Sequence, residues 1–196
     1  SHSVNSATLD ALQKGIVSSA AIMVPCPWFL EMAEFARQHP EMDLGLHLTL
    51  TSEWKHYRWR PVADPSKVPG LVDEEGYLWK SVENVVGHAT TQEVELEIRA
   101  QIDRAIAFGI NPTHIDSHMG TLFATSGFLR VYLKVALEYG IPPMLVDPAD
   151  PEVKKLLEER NISYSESTIQ EIYATKVPLL NHLNTGEDGN SYEIRK

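Results

Sequence analysis

Two short segments constrain this chain more than anything else in it: Gly45-Leu-His-Leu-Thr-Leu50 and Pro112-Thr-His-Ile-Asp-Ser-His-Met119. Both place ionisable or small polar side chains at every second position, the period of a β-strand. That parity puts Gly45, His47 and Thr49 on one face, with Leu44, Leu46, Leu48 and Leu50 on the other. It also gathers His114, Asp116 and His118 on one face of the second strand. An imidazole or carboxylate inside a fold is costly unless it is paired, hydrogen-bonded or bound to a metal. Two strands of this character therefore point to a site, and a metal is the first chemistry to consider.

The spacing His114-x-x-x-His118 also invites a helix, where i and i+4 share a face. Pro112, Thr113 and Ile115 lean towards strand, and no glutamate follows His114. On a strand, residues four apart are separated by roughly 13 Å, too far for both histidines to reach one ion through bonds of about 2 Å. His118, at the carboxyl end, is the candidate ligand, and His114 is expected deeper, as a hydrogen-bonded core residue. Asp116 is read as the carboxylate that orients a histidine from behind. His47, alone on a leucine-rich strand, is either a satisfied core histidine or a second ligand. His2, His39, His56, His88 and His182 are assigned to the surface. Asp43 and Asp147 are weak candidates to complete a metal site.

Helical and strand patterns alternate around these segments. Helices are expected from about Ser3 to Lys14, over Trp28–Gln38, Thr91–Phe108 and Phe128–Tyr139, and over Asp150–Glu159; glycines at 15, 109 and 140 stop three of them. Strands are expected at Ile16–Val24, Asp43–Leu50, Thr113–His118 and Pro143–Asp147, with a short one at Ile162–Tyr164. Alternating strands and helices indicate parallel βαβ units, hence an α/β fold. In such folds chemistry gathers at the carboxyl ends of the strands, where His47 and His118 fall. Between Thr51 and Ser81 periodicity dissolves, and Trp54, Tyr57, Trp59, Tyr77 and Trp79 accumulate. That stretch is either an aromatic wall for a sugar-like ligand, led by Trp54, Tyr57 and Trp59, or a packed excursion over the core. The tail from Asn184 reads as polar and turn-like.

The 196 residues fit one domain, and a net charge of −10 argues against nucleic acid and anionic membranes as partners. No run approaches the ~20 apolar residues of a membrane span. The single cysteine, Cys26, fits a reducing compartment and reads as a packed residue beside a turn rather than a nucleophile.

Four elements, Ser1-His-Ser-Val-Asn5, Gly15-Ile-Val-Ser-Ser19, Asp43-Leu-Gly-Leu-His-Leu-Thr-Leu50 and Pro112-Thr-His-Ile-Asp-Ser-His118, resemble in order and spacing the YdjC-like carbohydrate deacetylases. The resemblance implies a (β/α) barrel-like domain over 1–196, related to the seven-stranded deacetylase barrels. It also implies a divalent ion, Mg or Zn, held by one aspartate with His47 and His118, and metal-assisted hydrolysis of an N-acetyl group on a small carbohydrate. The family's aspartate belongs to an Asp-Asp motif that is absent here. The reading therefore leaves the catalytic residue unassigned, takes the first barrel strand to be missing, and keeps Asp116 as an orienting candidate. Two departures stand out: Met119-Gly-Thr-Leu-Phe123 replaces further histidines, and no late His-Pro occurs, since Leu183 follows His182. A cytoplasmic enzyme, with a homodimer as the allowed assembly, completes the expectation. The alternatives are hydrolysis of another small ester, phosphoester or amide, and a carbohydrate-binding relative without catalysis.

Overall fold

The computed structural model describes residues 1–159 and 162–180. They fall into two compact units, Ser1–Pro143 and a second from Met144 onward. In the first unit, α1 (His2–Gln13), β1 (Ser19–Ile22), α2 (Phe29–Gln38), β2 (Asp43–Leu48), α3 (Val82–His88), α4 (Thr91–Ala107), β3 (Ile115–Ser117) and α5 (Ser126–Tyr139) follow one another. The second unit holds β4 (Leu145–Val146), α6 (Pro151–Glu159), α7 (Glu166–Ala174) and β5 (Leu179–Leu180), with β4 and β5 paired in parallel.

The first unit is built on a parallel sheet in the order β1-β2-β3, joined by helical crossovers as the alternating pattern requires. Leu44, Leu46 and Leu48 point to one side of β2 and are buried, and α4 packs on that strand. Helix α4 carries Val94, Ile98, Ile102 and Ala105 on its buried face. Thr90 and Glu93 close its first turn reciprocally, and Gly109 leaves its end at φ +82°. Helix α5 lies against α4 and ends at Gly140, whose φ of +66° is left-handed. The hydroxyl of Tyr132 on α5 donates to the carbonyl of Ile115, 2.6 Å away, tying the helix to β3.

Several elements are shorter than their sequence patterns. The expected strand at Ile16–Val24 narrows to Ser19–Ile22, because Ile16 and Val17 spend their amides on the carbonyl of Ala11 in a turn closing α1. Strand β3 stops at Ser117, since Met119 and Gly120 turn the chain through positive φ. Ile162–Tyr164, expected as a strand, has no regular structure. Helices α3 and α7 add to the expected set. His182 and the tail from Asn184 lie outside the described residues. Among the described residues, no helix is long and apolar enough to cross a membrane.

The aromatic excursion is largely packed. Its chain runs through two 3-10 turns, Pro65–Lys67 and Pro69–Leu71, and Val68, Leu71 and Leu78 are buried. Arg58 donates to Asp73 at 2.7 Å and to the carbonyl of Leu78 at 2.6 Å. Trp79 donates its indole N–H to Gly70 and stacks on His88. Beneath the excursion, buried Glu97 accepts from the amides of Val62 and Ala63, both at 2.9 Å, and anchors it to α4.

Candidate functional site

The two segments singled out by parity are neighbours in the sheet, and their polar faces coincide. Register pairs His47 with Asp116 across β2 and β3. One step back, Gly45 lies under the His114 ring, and a Cβ on Gly45 would stand 2.4 Å from His114 Nε2. Glycine is needed there because an imidazole occupies the space its side chain would fill. Gly45→Ala is expected to cost about 1–3 kcal/mol, as overpacking does, with most of the loss recovered in the Gly45→Ala, His114→Ala double variant. Denaturant unfolding of the four proteins measures that coupling.

His114 is half-buried rather than a core residue. Its Nδ1 lies 2.9 Å from Thr113 Oγ1 and 3.5 Å from Asp43, at the end of the strands where the chain enters them. Asp43 is bound there by Thr113 and, four residues before His47, is roughly 13 Å along the strand from it. Asp147 belongs to the second unit, where it accepts from Tyr173 at 2.9 Å.

At the carboxyl ends of the strands, His47 and His118 meet. His47 Nε2 and His118 Nδ1 are 3.2 Å apart, and each ring's remaining nitrogen faces a carboxylate. His47 Nδ1 lies 2.5 Å from Asp116 Oδ1, and His118 Nε2 lies 3.0 Å from Glu53 Oε2. An ionised carboxylate only accepts, so Asp116 fixes the proton on His47 Nδ1 and Glu53 fixes it on His118 Nε2. Two unprotonated imidazole nitrogens then stand 3.2 Å apart, an arrangement that repels unless a positive centre joins them. Two atoms bound to one ion through bonds of about 2.1 Å are separated by about 3.0–3.4 Å at adjacent coordination positions. The two rings, each backed by a carboxylate, fit a divalent ion in chemistry and in spacing. They fill only part of its coordination, since among the described residues no group of three or more His, Cys, Asp or Glu is arranged to hold a metal. Burial holds His118 below the usual imidazole value, with the Glu53 carboxylate opposing that shift.

Parity reasoning named His47, Asp116 and His118, and missed Glu53. The available signal was an acidic residue three positions beyond Leu50, where the chain leaves the strand's carboxyl end. Two further features frame the site. Gln101 on α4 donates to the carbonyl of Thr49 at 2.7 Å and accepts from its amide at 3.0 Å, clamping the strand end that carries His47. Directly after His118, Met119 sits at φ +53°, a left-handed conformation that costs a non-glycine residue about 1–3 kcal/mol.

The candidate sugar-lining residues separate. Trp54 is 60% exposed, whereas Trp59 is 3% exposed and donates its indole N–H to the carbonyl of Thr51 at 2.9 Å. Trp59 therefore packs beneath the excursion rather than offering a face to a ligand. Tyr57 lies edge-on to Trp59; its hydroxyl is buried and meets no hydrogen-bond partner among the described residues. Burial pushes the Cys26 thiol up to about 12, so it stays protonated and unreactive, as its place beside a turn suggested.

The YdjC-like protein model matches residues 1–191. The chain belongs to the YdjC-like family. Members similar to this YdjC-like chain include a carbohydrate deacetylase of Geobacillus stearothermophilus, 42% identical over 118 residues, covering 60% of this chain and 44% of that protein. A carbohydrate deacetylase of Brevibacillus brevis is 36% identical over 142 residues, covering 72% and 53%. A chitooligosaccharide deacetylase of Yersinia enterocolitica is 34% identical over 119 residues, covering 58% and 43%. The YdjC-like chain thus spans about half the length of these curated relatives. A crystal structure from Enterococcus faecalis V583, named for cellobiose-phosphate cleavage, superposes with a TM-score of 0.65 at 30% identity, over 86% of this chain and 68% of that one.

Proposed function

We propose that this protein is a metal-dependent hydrolase that removes the acetyl group from an N-acetylated sugar or oligosaccharide. The observation that carries the reading is the facing of His47 Nε2 and His118 Nδ1, each backed by a carboxylate. The names carried by its relatives supply the substrate class.

In this reading His47 and His118 hold a divalent ion, Mg or Zn. When bound, the ion supplies Lewis acidity towards the acetyl carbonyl and lowers the pKa of a water. Asp116 and Glu53 lock the tautomers, so that both imidazoles present lone pairs to one point. The parallel sheet is an arc of a (β/α) barrel. Strand β1 has a neighbour on one side only among the described residues, and a strand docking on its other side is where we place the aspartate that completes the coordination and takes the proton from water. Exposed Trp54 provides an apolar face for a sugar. We place the enzyme in the cytoplasm and leave a homodimer as its expected assembly.

The test is acetate release by the full-length protein, stripped of metal and then reloaded with Mg or Zn, from a panel of N-acetylated sugars. Metal-dependent release is expected. Equal release with and without metal would overturn the metal dependence, and no release from any N-acetyl sugar would overturn the substrate class. Asp116→Asn and Glu53→Gln are each expected to weaken metal affinity about 10–100-fold, the usual cost of losing the partner behind a ligating histidine. Calorimetric titration of the metal into each variant provides the check.

A further inference from the structure

We infer that Met119 sets the size of acyl group the site accepts, acting as an apolar stop beside the ion-facing imidazoles; this rests on the deacetylase reading. Met119 follows His118 directly, so its backbone leaves from the residue whose imidazole faces His47. Three observations bear on its side chain. It is 41% exposed, so it does not serve the core. Its backbone holds φ +53°, ψ +15°, a conformation that glycine adopts without penalty and methionine does not. Its sulfur accepts a hydrogen bond from Thr51 Oγ1 at 3.4 Å, and Thr51 is itself fully buried, with its carbonyl taken by Trp59.

A side chain that is exposed yet tethered, at a strained position, is placed to touch something other than the core. The Thr51–Met119 contact spans from the stretch after β2 to the turn after β3, the two strand ends that carry the imidazoles. A hydroxyl-to-thioether bond is a weak one, so the contact steers a flexible side chain without freezing it. In an N-acetyl substrate the acetyl methyl is the apolar group attached to the reacting carbon. Met119 is the exposed apolar side chain next in sequence to a proposed ligand, and it matches that methyl in chemistry. A longer acyl chain would have to displace it.

Acyl-length selectivity tests this. Replacing Met119 by glycine removes the stop and relieves the backbone, at the loss of the weak Thr51–Met119 hydrogen bond. The ratio of kcat/KM for N-acetyl- over N-butyrylglucosamine is expected to fall about tenfold or more in Met119→Gly, the scale on which an apolar pocket discriminates methylenes. Met119→Leu should restore the ratio. An independent readout is peroxide oxidation of the protein with and without N,N′-diacetylchitobiose, followed by peptide mass spectrometry: the sugar should shield Met119 and leave Met42 unaffected. Acetate release with an unchanged acetyl-to-butyryl ratio in Met119→Gly, or sugar binding that leaves Met119 as oxidisable as before, overturns this inference and spares the deacetylase reading. No acetate release and no sugar binding by the unaltered protein would overturn both.

Discussion

His118→Ala is expected to bring metal content to background and to lower kcat/KM for N-acetyl sugar hydrolysis by about 10³-fold or more. A bound ion contributes several kcal/mol of transition-state stabilisation, and each 1.36 kcal/mol is a factor of ten in rate. Removing one of two facing imidazoles leaves the ion with His47 alone among the described residues, so the loss is not graded. Stability should change little, by about 1 kcal/mol or less, because the Glu53 carboxylate left behind is partly open to water and can be solvated. This separation is the point of the experiment. A core histidine would lose stability on replacement and leave metal content alone, whereas a ligand does the reverse. Metal analysis by mass spectrometry, alongside thermal unfolding and acetate release, distinguishes the two. Retained metal with unchanged turnover would remove His118 from the site.

Much of this arrangement was legible because side-chain parity in a strand is strict. His47, Asp116 and His118 could be assigned to polar faces from alternation alone, and the two faces coincide once β2 and β3 pair in parallel. Pairing and register were not readable, because they follow from long-range packing rather than local pattern. His114 illustrates the difference. Parity put it on the correct face, but its half-exposed place beside Thr113 depends on β3 being only three residues long and on Gly45 opposite leaving room.

Residues acting from irregular backbone left weaker traces. Glu53 lies beyond the strand, where no period indicates direction. Met119 occupies a left-handed turn that sequence reasoning assigns to glycine or asparagine, so alternation suggests a longer strand than the three residues of β3. In the aromatic stretch, composition allowed both a ligand wall and a packed excursion. The structure leaves Trp54 exposed and buries Trp59. Helix α7 could have been found: Ser165 caps it, and Ile169 and Ile172 lie three apart after it. Helix α3, seven residues long with a glycine inside, offered little periodicity.

Glu97→Ala is expected to cost the largest share of stability of any single change considered, about 3–5 kcal/mol. Its carboxylate accepts from the amides of Val62 and Ala63 and from Gln101 Nε2, and the side chain is fully buried. Alanine would leave three donors unpaired away from water, each costing about 1–3 kcal/mol, less whatever relaxation recovers. Glu97→Gln keeps the shape but turns an N–H towards one of those amides, so a smaller loss is expected. The carboxylate also titrates. Burial pushes it up to about 7, opposed by the three donors and by Arg104. Because the folded value lies above the unfolded one, folding takes up a proton between about pH 4.5 and 7. Its contribution is therefore complete below about 4.5 and lost as pH rises through 7, with no further change above. Urea unfolding of the unaltered protein should show a stability decline over that window that is absent in Glu97→Gln. The same decline in both proteins would assign it to another group. The consequence reaches the site through Gln101, which joins Glu97 to both backbone groups of Thr49, two residues beyond His47. Loosening that clamp frees the end of β2 and the stretch carrying Glu53. Glu97 variants that still fold should therefore bind metal more weakly than their residual stability alone accounts for.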